Sequence, residues 1–338
     1  MNATRIGLDI AKQVFQVHGV DKLGQVVLRK TLKRDQVTRF FANVPVGLMG
    51  LEAGGGSHYW ARELTRLGHE VKLIAPQFVA PYRKSGKNDK NDAEAICEAV
   101  GRPNMRFVPI KSEEQQAVLM LHRTRELAVS ERTALVNQIR GLLGEFGVIV
   151  AQGRERFEKE LPLILANLDQ ALPTLARETF TELAARLREL NEWITRDDRR
   201  LQQIARESEP ARRLMTVEGV GPVTATAVVA SVGEGHEFHS GRQFAAWLGL
   251  TPRQSSSGGK TRLGGISKRG NVYLRTLLIH GARSALLLTG SRPDRKSQWA
   301  EALKARRGPN IAAIALAAKH ARILWAMLVR GEAYQVVV

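Results

Sequence analysis

Residues 4–20 read TRIGLDIAKQVFQVHGV, and this stretch decides the fold expected for the N-terminal part of the chain. Its apolar residues form two short runs, 4–10 and 14–20, which predict two β-strands. One side chain, Asp9, interrupts the first apolar run. A carboxylate buried in a strand without a partner costs on the order of several kcal/mol, so Asp9 requires a cation, a hydrogen-bond donor or water.

The segments that follow alternate between strand and helix patterns. Strand patterns occupy residues 24–32, 46–52 and 69–75, and helical patterns occupy residues 36–44, 60–67 and 92–100. Three strands followed by alternating helices and strands predict an α/β domain with a mixed sheet, spanning residues 1–110.

Four carboxylates of this domain form a candidate metal site. Glu52 ends the apolar strand LMGLE (48–52) and precedes the small residues AGGG, while Asp89 and Asp92 lie in the motif NDKND (88–92). If Asp89 and Asp92 share the first turn of a helix, their spacing of three places them on one face. Each residue alone also fits a structural role, such as a helix cap for Asp92. Together with Asp9 they supply the oxygen ligands of Mg²⁺ (or Mn²⁺), which activates phosphoryl transfer.

The net charge of the chain is +18, and it is concentrated near the C-terminus. Residues 251–338 hold 16 Lys and Arg against 3 Asp and Glu, a balance of +13. An excess of this size predicts a polyanionic partner, and the absence of a basic amphipathic helix in this region favours nucleic acid over a membrane.

The location expected from the composition is the cytosol. The one cysteine, Cys97, excludes a disulfide framework and a cysteine-based zinc finger, and it suits a reducing compartment. Asp9 lies where a secretory signal would be apolar. No stretch reaches about 18 uninterrupted apolar residues, which argues against a spanning helix.

Residues 111–207 have a helical pattern almost throughout. Leu121, Ala128, Leu135 and Leu142 recur every seven residues, and a second apolar stripe from 183 to 204 is broken only at 197–198. Prolines between the two stretches predict two long helices joined by a shorter helical segment. We interpret this region as a coiled-coil arm or dimerisation element, with a helical cap on one domain as the alternative.

Residues 208–338 predict a mainly α-helical C-terminal domain with two candidate nucleic-acid elements. The first is GVGP (219–222) before a helix, similar to a helix-hairpin-helix motif, in which Gly219 and Gly221 would offer backbone N–H groups to a phosphate. A tight interhelical turn explains it equally well. The second is a polar loop that contains Ser257, which could expose its hydroxyl to a phosphodiester. Composition alone favours the alternative, a flexible polar loop without such a role. The candidate phosphate contacts around it are Arg253, Lys260, Arg262, Lys268, Arg269 and Arg275.

These motifs, taken in order, resemble the DEDD transposases of bacterial insertion sequences. The N-terminal part of the resemblance consists of IGLDIAK (6–12), EAGGGS (52–57) and NDKNDA (88–93). The C-terminal part consists of GVGP (219–222), FAAWLGLTPR (244–253), SGG (257–259) and SKRGN (267–271). Each motif alone is weak, but both halves together, in this order, cover nearly the whole chain.

The resemblance implies a fold and a chemistry. The first domain is expected to be RNase H-like, similar to the Holliday-junction resolvase RuvC, with Asp9, Glu52, Asp89 and Asp92 as the DEDD tetrad that binds Mg²⁺ (or Mn²⁺). Ser257 matches the serine expected to attack the scissile phosphate and form a covalent phosphoserine link to DNA. The resemblance further implies donor and target DNA as substrates, a structured bridge RNA as guide, and homodimers that pair into tetramers.

Two other functions remain compatible with the residues. One is a junction-resolving or RNA-cleaving metal nuclease, in which the tetrad acts alone and the serine loop only grips the backbone. The other is a basic scaffold for DNA or RNA whose carboxylates are structural.

Overall fold

The computed structural model describes residues 3–84, 89–167 and 172–335 of the chain. The backbone divides into two compact units. The first unit comprises Met1–Gln116 and Ser231–His239, and the second comprises Ala117–Ala230 and Ser240–Val338. Most of the expected arm therefore shares a unit with most of the C-terminal region, and the domain boundaries 1–110, 111–207 and 208–338 stay predictions.

The first unit contains a six-stranded mixed sheet with strand order β3-β2-β1-β4-β5-β6. The strands are β1 (Arg5–Ile10), β2 (Val14–Val20), β3 (Val26–Lys33), β4 (Leu48–Glu52), β5 (Glu70–Ile74) and β6 (Phe107–Val108). β1 is antiparallel to β2 and parallel to β4, and β5 continues the parallel part. The mixed sheet with helices that the sequence predicts is confirmed.

Helices cover both faces of this sheet. Successive side chains of a strand point to opposite sides, so the strand residues that a helix contacts show which face it covers. They are α1 (Val37–Phe41), α2 (Ser57–Arg66), the short α3 (Pro76–Val79) and α4 (Asp89–Val100). Trp60 and Leu64 of α2 belong to one buried cluster with Leu8 and Leu51 of the central strands. α4 lies on the opposite face, where Ile96 and Val100 pack with Ile74.

Two glycines allow α4 to lie directly on the sheet. Gly7 of β1 and Gly50 of β4 are paired residues on neighbouring parallel strands. A Cβ atom at Gly7 would lie 2.1 Å from the carbonyl oxygen of Ala93, and one at Gly50 would lie 2.8 Å from Cβ of Val100. Both distances are shorter than van der Waals contact, so a side chain at either position would push the helix away.

Two long helices dominate the first part of the second unit. α5 (Glu113–Glu145) begins just before the unit boundary, α6 (Arg154–Ala166) is shorter, and α7 (Thr174–Glu207) is again long. α5 and α7 are antiparallel, because Arg125 contacts Asp198 whereas Arg132, further along α5, contacts the earlier residue Asn191. Two long helices with a shorter one between them confirm the helical pattern predicted for this region.

The seven-residue spacing identifies the buried seam of α5 only in part. Ala128 and Leu135 are buried as expected, but Leu142 is 40% exposed and Leu143 is fully buried in its place. An α-helix has 3.6 residues per turn, so a strict heptad drifts by roughly 20° per repeat, and by Leu142 the drift moves the seam one residue on. On α7, Asp197 does not interrupt the buried stripe but lies within it, 1% exposed.

Helices and one hairpin form the rest of the second unit. Its elements are α8 (Glu209–Leu214), α9 (Pro222–Val232, whose last two residues belong to the first unit), α10 (Gly241–Trp247), β7 (Pro252–Ser257), β8 (Lys260–Ile266), α11 (Val272–Leu286), α12 (Arg295–Arg307) and α13 (Pro309–Arg330). The mostly helical character matches the prediction, but the polar loop expected around Ser257 is the antiparallel hairpin β7–β8.

Among the described residues, α13 is the one helix long and apolar enough by composition to cross a membrane. Half of its most apolar stretch is buried within the protein, as in a core helix. Its buried residues pack towards α10, α11 and α12.

Candidate metal centre and nucleic-acid interface

The register of the two central strands places Asp9 beside Glu52. Leu8 pairs with Leu51 in the parallel ladder between β1 and β4, so the next residues along both strands are neighbours at the same edge of the sheet. Their Cα atoms are separated by the strand spacing of about 4.8 Å. Both side chains point to the face that Gly7 and Gly50 present to α4, because residues two apart on a strand share a face. Both residues are half-buried.

Helix α4 carries Asp92 towards the same position. Ile96 and Val100 lie against Gly50, and Asp92 precedes Ile96 by one helical turn on the same side of the helix. Glu52 follows Gly50 by two residues along β4, towards the N-terminal end of α4. Asp92 therefore lies next to Glu52. Asp92 is buried, with 8% of the residue exposed.

Asp89 is the first residue of α4, one turn before Ala93, which lies against Gly7. The backbone of Asp89 therefore lies near Asp9, in the same way as the backbone of Asp92 lies near Glu52. The side chain of Asp89 lies outside the described residues.

Arg83 connects two of the predicted ligands, and the sequence interpretation did not include it. Its Nη2 donates to Oε2 of Glu52 at 2.9 Å, and its Nε lies 2.7 Å from Oδ1 of Asp92. The second contact is an ion pair without hydrogen-bond alignment, since neither atom has a hydrogen-bond partner among the described atoms. The sequence feature that could have indicated this role is a basic residue between the end of β5 and the helix that begins with the acidic pair.

The carboxylates fit a hard divalent cation by the chemistry of their donors. Oxygen ligands from Asp and Glu are those that Mg²⁺ and Mn²⁺ take, and a positive group already contacts two of them. Among the described side chains, which leave out that of Asp89, no three His, Cys, Asp or Glu residues lie close enough together to hold one ion. With Arg83 in place, Glu52 and Asp92 each face a guanidinium nitrogen.

A basic cleft adjoins this edge of the sheet. It encloses about 420 Å³ between β2, β3 and the start of α4, and Arg29, Lys30 and Lys90 line it. Gln16, another lining residue, is the antiparallel partner of Asp9. Burial lowers the pKa of His18 in the same cleft. The cations offer a path for a phosphate backbone next to the carboxylates.

Ser257 lies at the end of β7, beside the turn of an exposed hairpin. Gly258 and Gly259, with φ of 55° and 74°, form the two-residue turn, a conformation that glycine adopts without strain. Ser257 pairs with Lys260, and Ser255 pairs with Arg262. Paired residues share a face, so one face of the hairpin alternates two hydroxyls with two cations. Ser256 points to the other face, where its hydroxyl accepts a hydrogen bond from Gln254 at 2.9 Å.

The remaining predicted phosphate contacts divide into exposed and buried residues. Arg253, Lys260, Arg262, Lys268 and Arg269 are exposed. Arg275 is 8% exposed, and its Nη1 donates to the carbonyl oxygens of Leu248 at 2.9 Å and Arg269 at 3.0 Å. Its guanidinium therefore holds the chain on either side of the hairpin, in place of the phosphate contact expected from the sequence.

The two glycines of the GVGP motif also have different surroundings. A Cβ atom at Gly219 would lie 2.1 Å from the carbonyl oxygen of Gly281, so this glycine serves a close contact with α11. Gly221 borders open space immediately before α9. Glu218 fixes the turn by contacts with Arg292, at 2.6 Å, and with Lys296. Burial raises the pKa of Glu218, but the hydrogen bond and charge of Lys296 and the charge of Arg292 outweigh it and lower the pKa.

A buried polar cluster joins the long helix α5 to the C-terminal helices. Nε2 of His122 lies 3.0 Å from Oγ1 of Thr226, and Nδ1 lies 2.9 Å from the hydroxyl of Tyr273. Thr226 already donates to the carbonyl of Pro222, so Nε2 of His122 carries the proton and Nδ1 accepts from Tyr273. Burial, with a smaller effect of Arg125, lowers the pKa of His122 to about 4.

Comparison with known proteins identifies both halves of the chain. A family model for DEDD transposases of the IS110 type matches residues 6–147, and a model described as "Transposase IS116/IS110/IS902 family" matches residues 211–298. The chain is 54% identical over 336 residues to a "Probable family 20 transposase" of Pseudomonas aeruginosa, covering 99% of both chains.

Two further relatives are transposases of named insertion sequences. Identity is 48% over 330 residues with the transposase of IS1111A from Coxiella burnetii, covering 98% of this chain and 91% of the relative. Identity is 40% over 333 residues with the transposase of IS1328 from Yersinia enterocolitica, covering 98% and 99%.

Proposed function

Because the chain belongs to the IS110/IS116 family of insertion-sequence transposases, we propose that its tetrad Asp9, Glu52, Asp89 and Asp92 binds the divalent metal with which it cuts DNA. The chain is a DNA transposase, and its DEDD domain implies an RNase H-like fold and dependence on a divalent metal. The observations that support the proposal are the neighbouring positions of Asp9 and Glu52 in the register of β1 and β4, and the bridge that Arg83 forms between Glu52 and Asp92. Mg²⁺ or Mn²⁺ suits these oxygen ligands.

The residues of the chain have separate tasks in this reaction. A bound divalent ion would polarise a phosphate oxygen and stabilise the charge that develops during in-line displacement. Glu52 and Asp92 hold the site at the end of β4 and the start of α4, while Gly7 and Gly50 fix the distance between helix and sheet. The basic cleft next to Asp9 binds the adjoining phosphates without reading base sequence.

We further propose that Ser257 is the nucleophile. Its hydroxyl oxygen forms a bond to the scissile phosphorus while the bond to a deoxyribose oxygen breaks, and the serine proton leaves to the solvent as the deoxyribose oxygen is protonated. Lys260, its cross-strand neighbour, places a cation where negative charge develops on the phosphate. Alternation along β7 favours Ser257 and Ser255 over Ser256, because Ser256 faces away from both cations.

The proposed assembly includes nucleic acid and further copies of the chain. Donor and target DNA, a structured guide RNA, and dimers that pair into tetramers follow from the resemblance of the motifs. The balance of +13 in residues 251–338 supports a large phosphate-rich partner in the bacterial cytoplasm. A guide that pairs with DNA would leave the protein to recognise backbone and shape.

Mass spectrometry tests the serine chemistry. The full chain is incubated with Mg²⁺, RNA transcribed from the non-coding ends of the element, and a nicked donor DNA that releases a short fragment on cleavage. We expect a nucleotide adduct on Ser257, which is lost in Ser257→Ala and retained in Ser256→Ala. Free cut DNA ends without an adduct would instead identify a metal-dependent nuclease, and DNA binding without metal-dependent cleavage would identify a scaffold.

A further inference from the structure

Arg83 belongs to neither of the elements that carry the acidic residues, yet its side chain contacts both. It follows a single turn of 3₁₀ helix, Ala80–Tyr82, and is 29% exposed. Nη2 reaches Glu52 at 2.9 Å and Nε reaches Asp92 at 2.7 Å. One guanidinium therefore bridges β4 and α4 at the opening of the acidic site.

The charge balance of the site explains this position. The carboxylates of Glu52 and Asp92 repel each other, and a buried Asp92 without a counter-ion would be costly. The guanidinium supplies one positive charge and two contacts, which lowers this cost while the site holds no metal. A divalent ion would take the same carboxylate oxygens and bring two positive charges, so the guanidinium and the metal compete for Glu52 and Asp92.

We propose that Arg83 is an internal counter-ion, which keeps the carboxylates together in the metal-free protein and which the metal displaces. This inference rests on the proposed metal site. Arg83 is a positioning residue: it raises the stability of the metal-free state and thereby lowers the apparent affinity for metal. Its partial exposure gives the displaced side chain a route to solvent.

The adjacent residue provides a matched control. Lys84 carries the same charge one position further on, is 73% exposed, and pairs with Glu94 of α4, which is not part of the tetrad. Replacement of either residue by Gln removes one positive charge from the same surface. A general change of surface potential therefore affects both variants, whereas competition for ligands affects only Arg83→Gln.

Metal binding to the full chain without DNA tests the proposal. Mn²⁺ is titrated into the wild type, Arg83→Gln, Lys84→Gln and Asp92→Asn, and free Mn²⁺ is followed by electron paramagnetic resonance. We expect Arg83→Gln to bind Mn²⁺ about tenfold more tightly than the wild type, and Lys84→Gln to change affinity by less than about twofold. The melting temperature of Arg83→Gln should be lower without metal and rise more than that of the wild type when Mn²⁺ is added.

The outcomes separate this proposal from the one on which it rests. Wild-type binding that is lost in Asp92→Asn but unchanged or weakened in Arg83→Gln would overturn the role of Arg83 and leave the metal site intact. An equal gain in Arg83→Gln and Lys84→Gln would also overturn it, since surface potential would then explain the effect. Mn²⁺ binding that is insensitive to Asp92→Asn would overturn the metal site itself.

Discussion

At the scale of single residues, the acidic site depends on strand register and on one buried carboxylate. A slip of one residue between β1 and β4 would turn either Asp9 or Glu52 to the other face of the sheet. Paired glycines two residues earlier oppose such a slip, because a Cβ atom at the position of Gly7 or Gly50 would collide with α4. Asp92 lies next to Glu52 on the face of the sheet that α4 covers, where it is buried and paired with Arg83.

Asp92→Asn keeps the size of this side chain and removes its charge. We expect DNA cleavage to fall by about two orders of magnitude or more, because a neutral amide is a poor ligand for a hard cation. Cleavage of donor DNA, measured at several Mg²⁺ concentrations, checks this. Asp35→Asn, at an exposed position, should cleave as the wild type does, and full activity of Asp92→Asn would exclude Asp92 as a ligand.

His122 predicts how stability depends on pH. Its pKa is lowered to about 4 in the folded protein, first by burial, from 6.5 in the unfolded chain. The unfolded state therefore binds the proton more readily, and stability is lost as pH falls from about 6.5 towards 4, by at most about 3 kcal/mol from this residue.

Urea unfolding followed between these pH values checks the contribution of His122. The variant His122→Gln should lose less stability on acidification than the wild type does. His236→Gln, at a side chain that is 62% exposed, should follow the wild-type profile. A wild-type slope in His122→Gln would show that the imidazole does not resist protonation.

At the scale of elements, the contact between α4 and the sheet determines the geometry of the site. Gly7→Ala would place a methyl group 2.1 Å from the carbonyl oxygen of Ala93 and 2.4 Å from the nitrogen of Cys97. Both atoms belong to the backbone of α4, so the helix must move, at a cost of about 1–3 kcal/mol or more.

The comparison of Gly7→Ala with Gly55→Ala tests this geometry. Gly55 has open space where the methyl group would go. We expect a lower urea midpoint and weaker metal-dependent cleavage for Gly7→Ala and little change for Gly55→Ala. If Gly7→Ala retained wild-type stability and cleavage, the close contact would not position the acidic residues.

Several elements could be predicted from local pattern, and the exceptions have physical causes. The apolar runs of β1, β2 and β4 identify the mixed sheet, and Asp9 and Glu52 are recognisable because they interrupt or end such runs. The bridging role of Arg83 depends on a tertiary contact that no local periodicity records. The hairpin β7–β8 has no apolar face, so the usual alternation of a strand is missing from its sequence.

The same limit applies to single positions in the second unit. Leu142 fails as a seam residue because helical drift accumulates over the heptads, and Asp197 is buried although it is charged. Arg275 is typical in composition of a phosphate contact, but it instead binds two backbone carbonyls. The sequence shows which residues are cationic, but it does not show which groups their side chains contact.

At the scale of the whole molecule, the positive charge predicts strongly salt-dependent binding to DNA. Each phosphate contact that is lost reduces the slope of log K against log salt by about 0.9. The double variant Lys260→Gln and Arg262→Gln should therefore reduce the slope by about two units, because both side chains are exposed on one face of the hairpin. Fluorescence anisotropy of labelled duplex DNA at a series of salt concentrations measures the slope.

Two further variants serve as controls for the salt dependence. Arg156→Gln removes an exposed cation that pairs with Glu160 on α6, and it should leave the slope unchanged. Arg275→Gln should lower stability, because two carbonyl oxygens lose their donor, without a selective change of slope. An unchanged slope in the double variant would mean that this hairpin does not contact the phosphates.

The exposed hairpin has a practical consequence for handling the protein. Every residue of its two strands except Ile266 is exposed, so the N–H and C=O groups along the outer edges of this ribbon are available for pairing with another ribbon. Mutual repulsion between Arg253, Lys260 and Arg262 of different copies opposes that association. Concentrated salt, the usual means of stripping contaminating nucleic acid from a basic protein, screens this repulsion within about 3 Å at 1 M. Purification conditions that remove nucleic acid therefore also favour self-association of the ribbon.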